Sequence, residues 1–161
     1  MKTLVVYYSL EGNTKDTAEK IAAVMKADLL RLECVNEYPS SGPMKFIKGG
    51  KAAVFGEQPA LKPYDIDFLS YEAVIVGTPV WASTFAPPLR SFFAHEQITN
   101  QKTGFFACEK GSGGEKCLQK LKELTGADRI DAQMILIDPK QNPDPANDEV
   151  IKKFCEDMLH E

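Results

Sequence analysis

Residues Ser9-Leu10-Glu11-Gly12-Asn13-Thr14 set two hydroxyls, an amide and a glycine between an apolar run, KTLVVYY, and a helical period, KDTAEKIAAVMK. A loop that leaves a buried strand and opens a helix exposes unpaired backbone N–H groups, and the helix dipole adds partial positive charge there. Together these make an anion site. Gly12 lets the backbone approach a ligand closely, while Ser9, Thr14 and Asn13 supply side-chain donors. No Lys or Arg lies inside the loop, so the expected anion is a phosphate monoester held by neutral donors, not a triphosphate with magnesium. The stretch is neither G-x-x-x-x-G-K-[ST] nor G-x-G-x-x-G, which argues against a P-loop nucleotidase and a dinucleotide fold. The plainer reading is a strand-to-helix turn with Asn13 or Thr14 as N-cap.

Two more stretches have chemical potential. TPVWASTFAPPL, residues 78–89, holds the only tryptophan, Trp81, with Phe85 and three prolines around it. Indole and phenyl rings at the end of a strand suit a flat ligand, against which Trp81 would stack; alternatively Trp81 caps the core. Cys108-Glu109-Lys110-Gly111-Ser112-Gly113-Gly114 is glycine-rich and precedes another helical period. Its amides could bond the polar edge of a ligand ring, or it is a simple flexible connection.

The elements that must position these loops alternate along the chain. Apolar runs at Leu4–Tyr8, Leu29–Cys34, Ala73–Gly77, Gly104–Cys108 and Met134–Ile137 read as strands, and three of them are continuous, as strands covered on both faces are. Helical spacing recurs at Ala18/Ile21/Ala22/Met25, at Gly114/Cys117/Leu118/Leu121 and at Val150 or Ile151 with Phe154/Cys155/Met158, and Pro88 opens a short helix. The segment PMKFIKGGKAAVFG is a weaker helix because of Gly49-Gly50. Residues 58–67, with two prolines, read as loop. Five strand–helix alternations predict an α/β fold: a doubly wound parallel sheet between two helical layers, in one domain over residues 1–161. In such sheets ligands bind beyond the carboxyl ends of the strands, where strand order reverses, and all three loops belong there.

Composition narrows the function. The chain has 161 residues, 43% hydrophobic and 26% charged, with a net charge of −4. A mildly acidic chain is a poor match for nucleic acid. The N-terminal apolar run is too short for a secretory signal and no segment is long enough to span a bilayer, which suggests a cytoplasmic protein without a membrane role. Cys34, Cys108, Cys117 and Cys155 form no C-x-x-C, and His95 and His160 do not complete a zinc set, so four reduced core thiols and no metal are expected. Neither histidine falls in a site loop, and the sequence places no His or Asp partner near Cys108 to make it a nucleophile.

With these residues in hand, the chain resembles the flavodoxin family. That family's phosphate loop runs [TS]-x-[TS]-G-x-T, matched here at Ser9, Gly12 and Thr14 and departed from at Glu11. Gly77 to Pro88, residues 61–67 (LKPYDID) and residues 111–116 (GSGGEK) resemble a bacterial flavodoxin-like branch, so the likeness covers essentially the whole chain. It implies a five-stranded sheet in order 2-1-3-4-5, of short-chain type, and noncovalent FMN. By carry-over, Ser9, Glu11, Gly12, Asn13 and Thr14 would cradle the phosphate, with the Glu11 carboxylate turned away from it. Thr78, Pro79, Val80 and Trp81 would line one side of the isoalloxazine; Cys108, Glu109, Lys110, Gly111, Ser112 and Gly113 would line the other. An apolar, mildly acidic surrounding would lower the potential of the second reduction step. Residues 78–89 lack the glycine that many members place beside the flavin, so either Gly111 supplies its peptide flip or the flip is missing. The implied function is electron transfer between redox protein partners. The alternative is an NAD(P)H-dependent flavin oxidoreductase or quinone reductase; the first reading goes with a monomer, the second with a homodimer. A non-redox binding module of receiver type is disfavoured, because Thr78 stands where its acceptor Asp would be.

Overall fold

The computed structural model describes residues 1–161. Strands β1 (Thr3–Tyr7), β2 (Asp28–Arg31), β3 (Ala73–Pro79), β4 (Lys102–Glu109) and β5 (Ala132–Ile137) form one sheet in the order β2-β1-β3-β4-β5, every pair parallel. Helices α1 (Asn13–Met25), α2 (Met44–Val54), α3 (Pro87–Phe93), α4 (Gly114–Thr125) and α5 (Ala146–Leu159) make the crossovers. The strand order reverses between β1 and β3, as expected for the doubly wound arrangement.

The continuous apolar runs are explained by burial on both faces. Leu4, Val6, Val74, Val76, Phe105 and Ala107 point into the core shared with α3 and α4, whereas Val5, Tyr7, Ala73, Ile75, Phe106 and Cys108 point into that shared with α1 and α5. Alternate residues of one strand thus feed two cores, at about 1.5–3 kcal/mol for each large apolar side chain removed from water. Gly77 pairs with Phe106 across the β3–β4 ladder, and a Cβ on it would lie 2.1 Å from the Phe106 ring, so the absent side chain is what lets the phenyl ring cross the sheet there. All four cysteines are reduced and buried. No helix is long and apolar enough to cross a membrane, and no cluster of three or more His, Cys, Asp or Glu is placed to hold a metal.

One segment departs from the pattern read in the sequence, and one weakly signalled helix forms as read. Strand β2 stops at Arg31 instead of running to Cys34, because Cys34 turns off the sheet edge into an antiparallel bridge with Leu61. Residues 44–54 do form a helix despite Gly49-Gly50: the Trp81 ring packs 3.3 Å from where a Gly49 Cβ would be, so packing outweighs the helix-propensity cost of about 1 kcal/mol.

Candidate cofactor cleft

At the carboxyl edge of the sheet the β1–α1, β3–α3 and β4–α4 loops converge. Ser9, Leu10, Glu11, Asn13 and Thr14 form one wall of a cavity of about 130 Å³; Pro79, Val80, Trp81 and Ala82, with Cys108 and Lys110, form the others. The sequence placed most of these together. It missed Lys45, Phe46 and Gly50, which α2 brings to the mouth from over thirty residues away along the chain.

The first loop is an open N-terminus. Gly12, not Asn13 or Thr14, is the N-cap of α1; its φ of 104° is left-handed and no side chain caps the helix. No backbone carbonyl accepts from the N–H groups of Glu11, Gly12, Asn13 or Thr14. The Lys15 N–H donates to Ser9 Oγ at 3.1 Å. Thr14 Oγ1 is buried with no hydrogen-bond partner, a state that costs about 1–3 kcal/mol unless something fills the cleft. Asn13 is committed elsewhere: its Nδ2 donates to Asp138 Oδ1 at 3.0 Å and its Oδ1 accepts from the Lys140 N–H at 2.9 Å.

The loop carries no cation, yet cations surround it. Glu11 pairs with Lys45 at 2.9 Å and Lys110 at 2.6 Å, tying α2 to the β4–α4 loop across the mouth. Burial alone would raise the Glu11 carboxyl; hydrogen bonds and charge from Lys110 and Lys45 outweigh it and hold the group below its ordinary value. Lys140 reaches Gly12, and Arg31 donates to the Ser9 carbonyl at 3.1 Å. The mildly acidic surrounding expected for the flavin is therefore absent, since the charged groups lining the cavity are one glutamate and two lysines.

Trp81 plays both parts considered for it. It packs edge-on against Tyr8 and Tyr38, with centroids 5.7 and 5.3 Å away, and it also lines the cleft. Its loop turns sharply: Trp81 and Thr84 exchange backbone hydrogen bonds of 2.9 and 3.0 Å, while Ala82 and Ser83 take left-handed φ values of 51° and 60°. Thr78 lies beneath the cleft and outside its lining; its Oγ1 donates to the Pro79 carbonyl and accepts from the Ala86 N–H, pinning the loop.

In the third loop only Cys108 and Lys110 line the cavity. The Glu109 carboxylate accepts from the Gly114 N–H at 2.8 Å and so caps α4. Gly111 and Ser112 are exposed, with open space around Gly111, and Gly113 packs against Ser83 at the start of α4. Besides Gly12, left-handed backbone in the loops around the cleft thus comes from Ala82, Ser83 and Gly113, and Gly111 stands away from the cavity. The Cys108 thiol, 3.8 Å from Thr17 Oγ1, is pushed by burial up to about 11. His95 lies past the end of α3 and His160 past α5, neither in the cleft.

The fold has known counterparts. A Bacteroides eggerthii structure named as a candidate flavoprotein superposes with a TM-score of 0.75 at 20% identity, covering 99% of each chain. A Lactobacillus acidophilus flavoprotein solved in complex with FMN has a TM-score of 0.70 at 21% identity, over 87% of this chain and 95% of that one. Oxidised flavodoxin 1 from Bacillus cereus has a TM-score of 0.60 at 14% identity, over 99% and 97%. No curated protein matches in sequence. The sequence model of the family described as Flavodoxin matches residues 2–139, and with a 2-1-3-4-5 sheet carrying three converging loops at its carboxyl edge, the chain belongs to the flavodoxin family.

Proposed function

We propose that this protein binds FMN noncovalently in the cleft and passes electrons between redox protein partners. The observation that carries the reading is the orphaned Thr14 hydroxyl, buried at the open N-terminus of α1 beside four unaccepted backbone amides. A phosphoryl group would satisfy these donors, and the helix dipole would favour its charge. The residues present fit the group. Ser9, Glu11, Gly12, Asn13 and Thr14 would hold the phosphate, Glu11 and Asn13 through backbone amides. Pro79, Val80 and Trp81 would face one side of the ring, Cys108 and Lys110 the other, with Phe46 at the mouth. The L. acidophilus neighbour, a protein of the same fold solved with FMN, supports the choice of ligand.

Bound FMN supplies one- and two-electron redox chemistry, and the chain's task is to hold, orient and shield it. At neutral pH Glu11 is ionised and paired, and the Cys108 thiol is held protonated, so neither the acid nor the thiol of the lining is free to exchange a proton. That favours a carrier over an enzyme that handles substrate protons. The test is titration of the purified chain with FMN, followed by an NAD(P)H oxidation assay of the yellow holoprotein. Micromolar or tighter binding without NAD(P)H turnover is expected. Failure to bind FMN ends the reading, and rapid NAD(P)H oxidation by the holoprotein alone replaces the carrier with an oxidoreductase.

A further inference from the structure

Four side-chain cations surround the phosphate loop, and three of them are occupied. Lys45 and Lys110 are paired with Glu11, and Arg31 is held on the Ser9 carbonyl. Lys140 makes no ion pair, yet its Nζ lies 2.6 Å from where a Gly12 Cβ would stand, and its Cδ 3.0 Å away. Any side chain at Gly12 would collide with it. The lysine therefore lies against the tip of the loop whose amides have no acceptor.

The approach is built by named contacts. Asn13 grips the segment after β5 twice, through Asp138 Oδ1 and the Lys140 N–H. The Asp138 N–H donates to the Glu109 carbonyl at 2.8 Å, and Gln141 Nε2 donates to the Glu11 carbonyl at 3.3 Å. The Asp138 carboxylate, the nearest acid along the chain, accepts from the Asn13 amide and forms no ion pair with Lys140.

We propose that Lys140 supplies the cation of the phosphoryl site and that Asn13 is the positioning residue that places it there. The inference rests on the FMN reading and deepens it. Loop amides and hydroxyls recognise the oxygens; an ammonium at the loop tip neutralises the phosphoryl dianion. It follows that Lys140 sets the preference for FMN over riboflavin, which has the same ring and no phosphate.

The experiment measures dissociation constants of wild type, Lys140→Gln, Lys140→Arg, Asn13→Ala and Lys122→Gln for FMN and riboflavin by flavin fluorescence quenching, at low and high salt. Lys122 is exposed on α4 and forms no ion pair, so its variant controls for net charge. Loss of one charge-assisted contact should weaken FMN binding about tenfold in Lys140→Gln and flatten its salt dependence. Riboflavin affinity should be unchanged, Lys140→Arg should restore FMN binding, and Asn13→Ala should reproduce the FMN-selective loss. If Lys140→Gln leaves FMN unchanged, weakens both flavins equally, or matches Lys122→Gln, the proposal is overturned while the FMN reading stands. If wild type binds neither flavin, the FMN reading itself fails and takes this one with it.

Discussion

Glu11 places a carboxylate beside a loop whose open amides attract anions, and the structure shows how the conflict is resolved. Its charge is turned to Lys45 and Lys110, so it ties two elements together while its backbone N–H stays free for the cleft. Because these lysines hold the folded-state pKa below the ordinary carboxylate value of 4.5, ionised Glu11 contributes stability that is fully present above that value. The contribution is lost as pH falls through the depressed folded-state value. Glu11→Gln should therefore be less stable than wild type by about 1 kcal/mol at pH 7, with the gap narrowing below pH 4.5. Urea unfolding at pH 7 and pH 4 reads this directly, and a pH-independent gap would contradict it. At this scale the sequence was legible only locally. It showed Ser9, Gly12 and Thr14 because their spacing is contained in one loop. It did not show Lys45, Phe46, Gly50 or Lys140, which reach the site by folding. Nor did it show that Glu109 would cap α4, or that the Asn13 side chain would be spent on the β5–α5 segment.

At the scale of elements, the sheet was readable because burial on both faces leaves a continuous apolar run, and α1, α4 and α5 because each buries one stripe. The β3–α3 connection was less so. TPVWAST contains no glycine, yet Trp81–Thr84 closes with the paired hydrogen bonds and left-handed centre of a primed hairpin turn, a geometry that usually takes Asn-Gly. Ala82 and Ser83 adopt it because the bridge with Thr84, the Thr78 hydroxyl and the contact with Gly113 fix the chain on either side. The strain stays in the wall of the cleft. Ser83→Gly removes the steric cost of the left-handed backbone and should raise the urea midpoint by the equivalent of about 0.5–1 kcal/mol, less the larger entropy glycine loses on folding. A lower midpoint would mean that the Ser83 side chain, packed on Gly113, contributes more than the turn costs.

Over the whole molecule, charge and stability are distributed unevenly. The net charge is −4, yet α2 carries Lys45, Lys48 and Lys51 and no acid. The same helix buries only Gly49, Ala52 and Ala53, and leaves Phe46, Ile47 and Val54 with relative exposures of 62%, 58% and 65%. α5, by contrast, buries Ile151, Phe154, Cys155 and Met158. Burial of alanine-sized groups supplies little of the transfer free energy that large side chains give, so α2 is attached mainly by the indole on Gly49 and the Lys45–Glu11 ion pair. It should form the least protected helix of the molecule. Lys45, Phe46 and Gly50 line the cleft, so a planar ligand held against Trp81 gives α2 a second surface to pack on. In hydrogen–deuterium exchange, amides of Met44–Val54 should exchange faster than those of α1, α4 and α5 in the ligand-free chain and slow on addition of FMN. The slowing should extend to the β1–α1 loop, where the phosphoryl group would accept from residues 11–14, and should leave β5 unchanged. Equal protection of all helices without ligand would refute the loose attachment of α2. Protection of the β1–α1 loop without any change in α2 would place the ring away from Phe46 and Gly50.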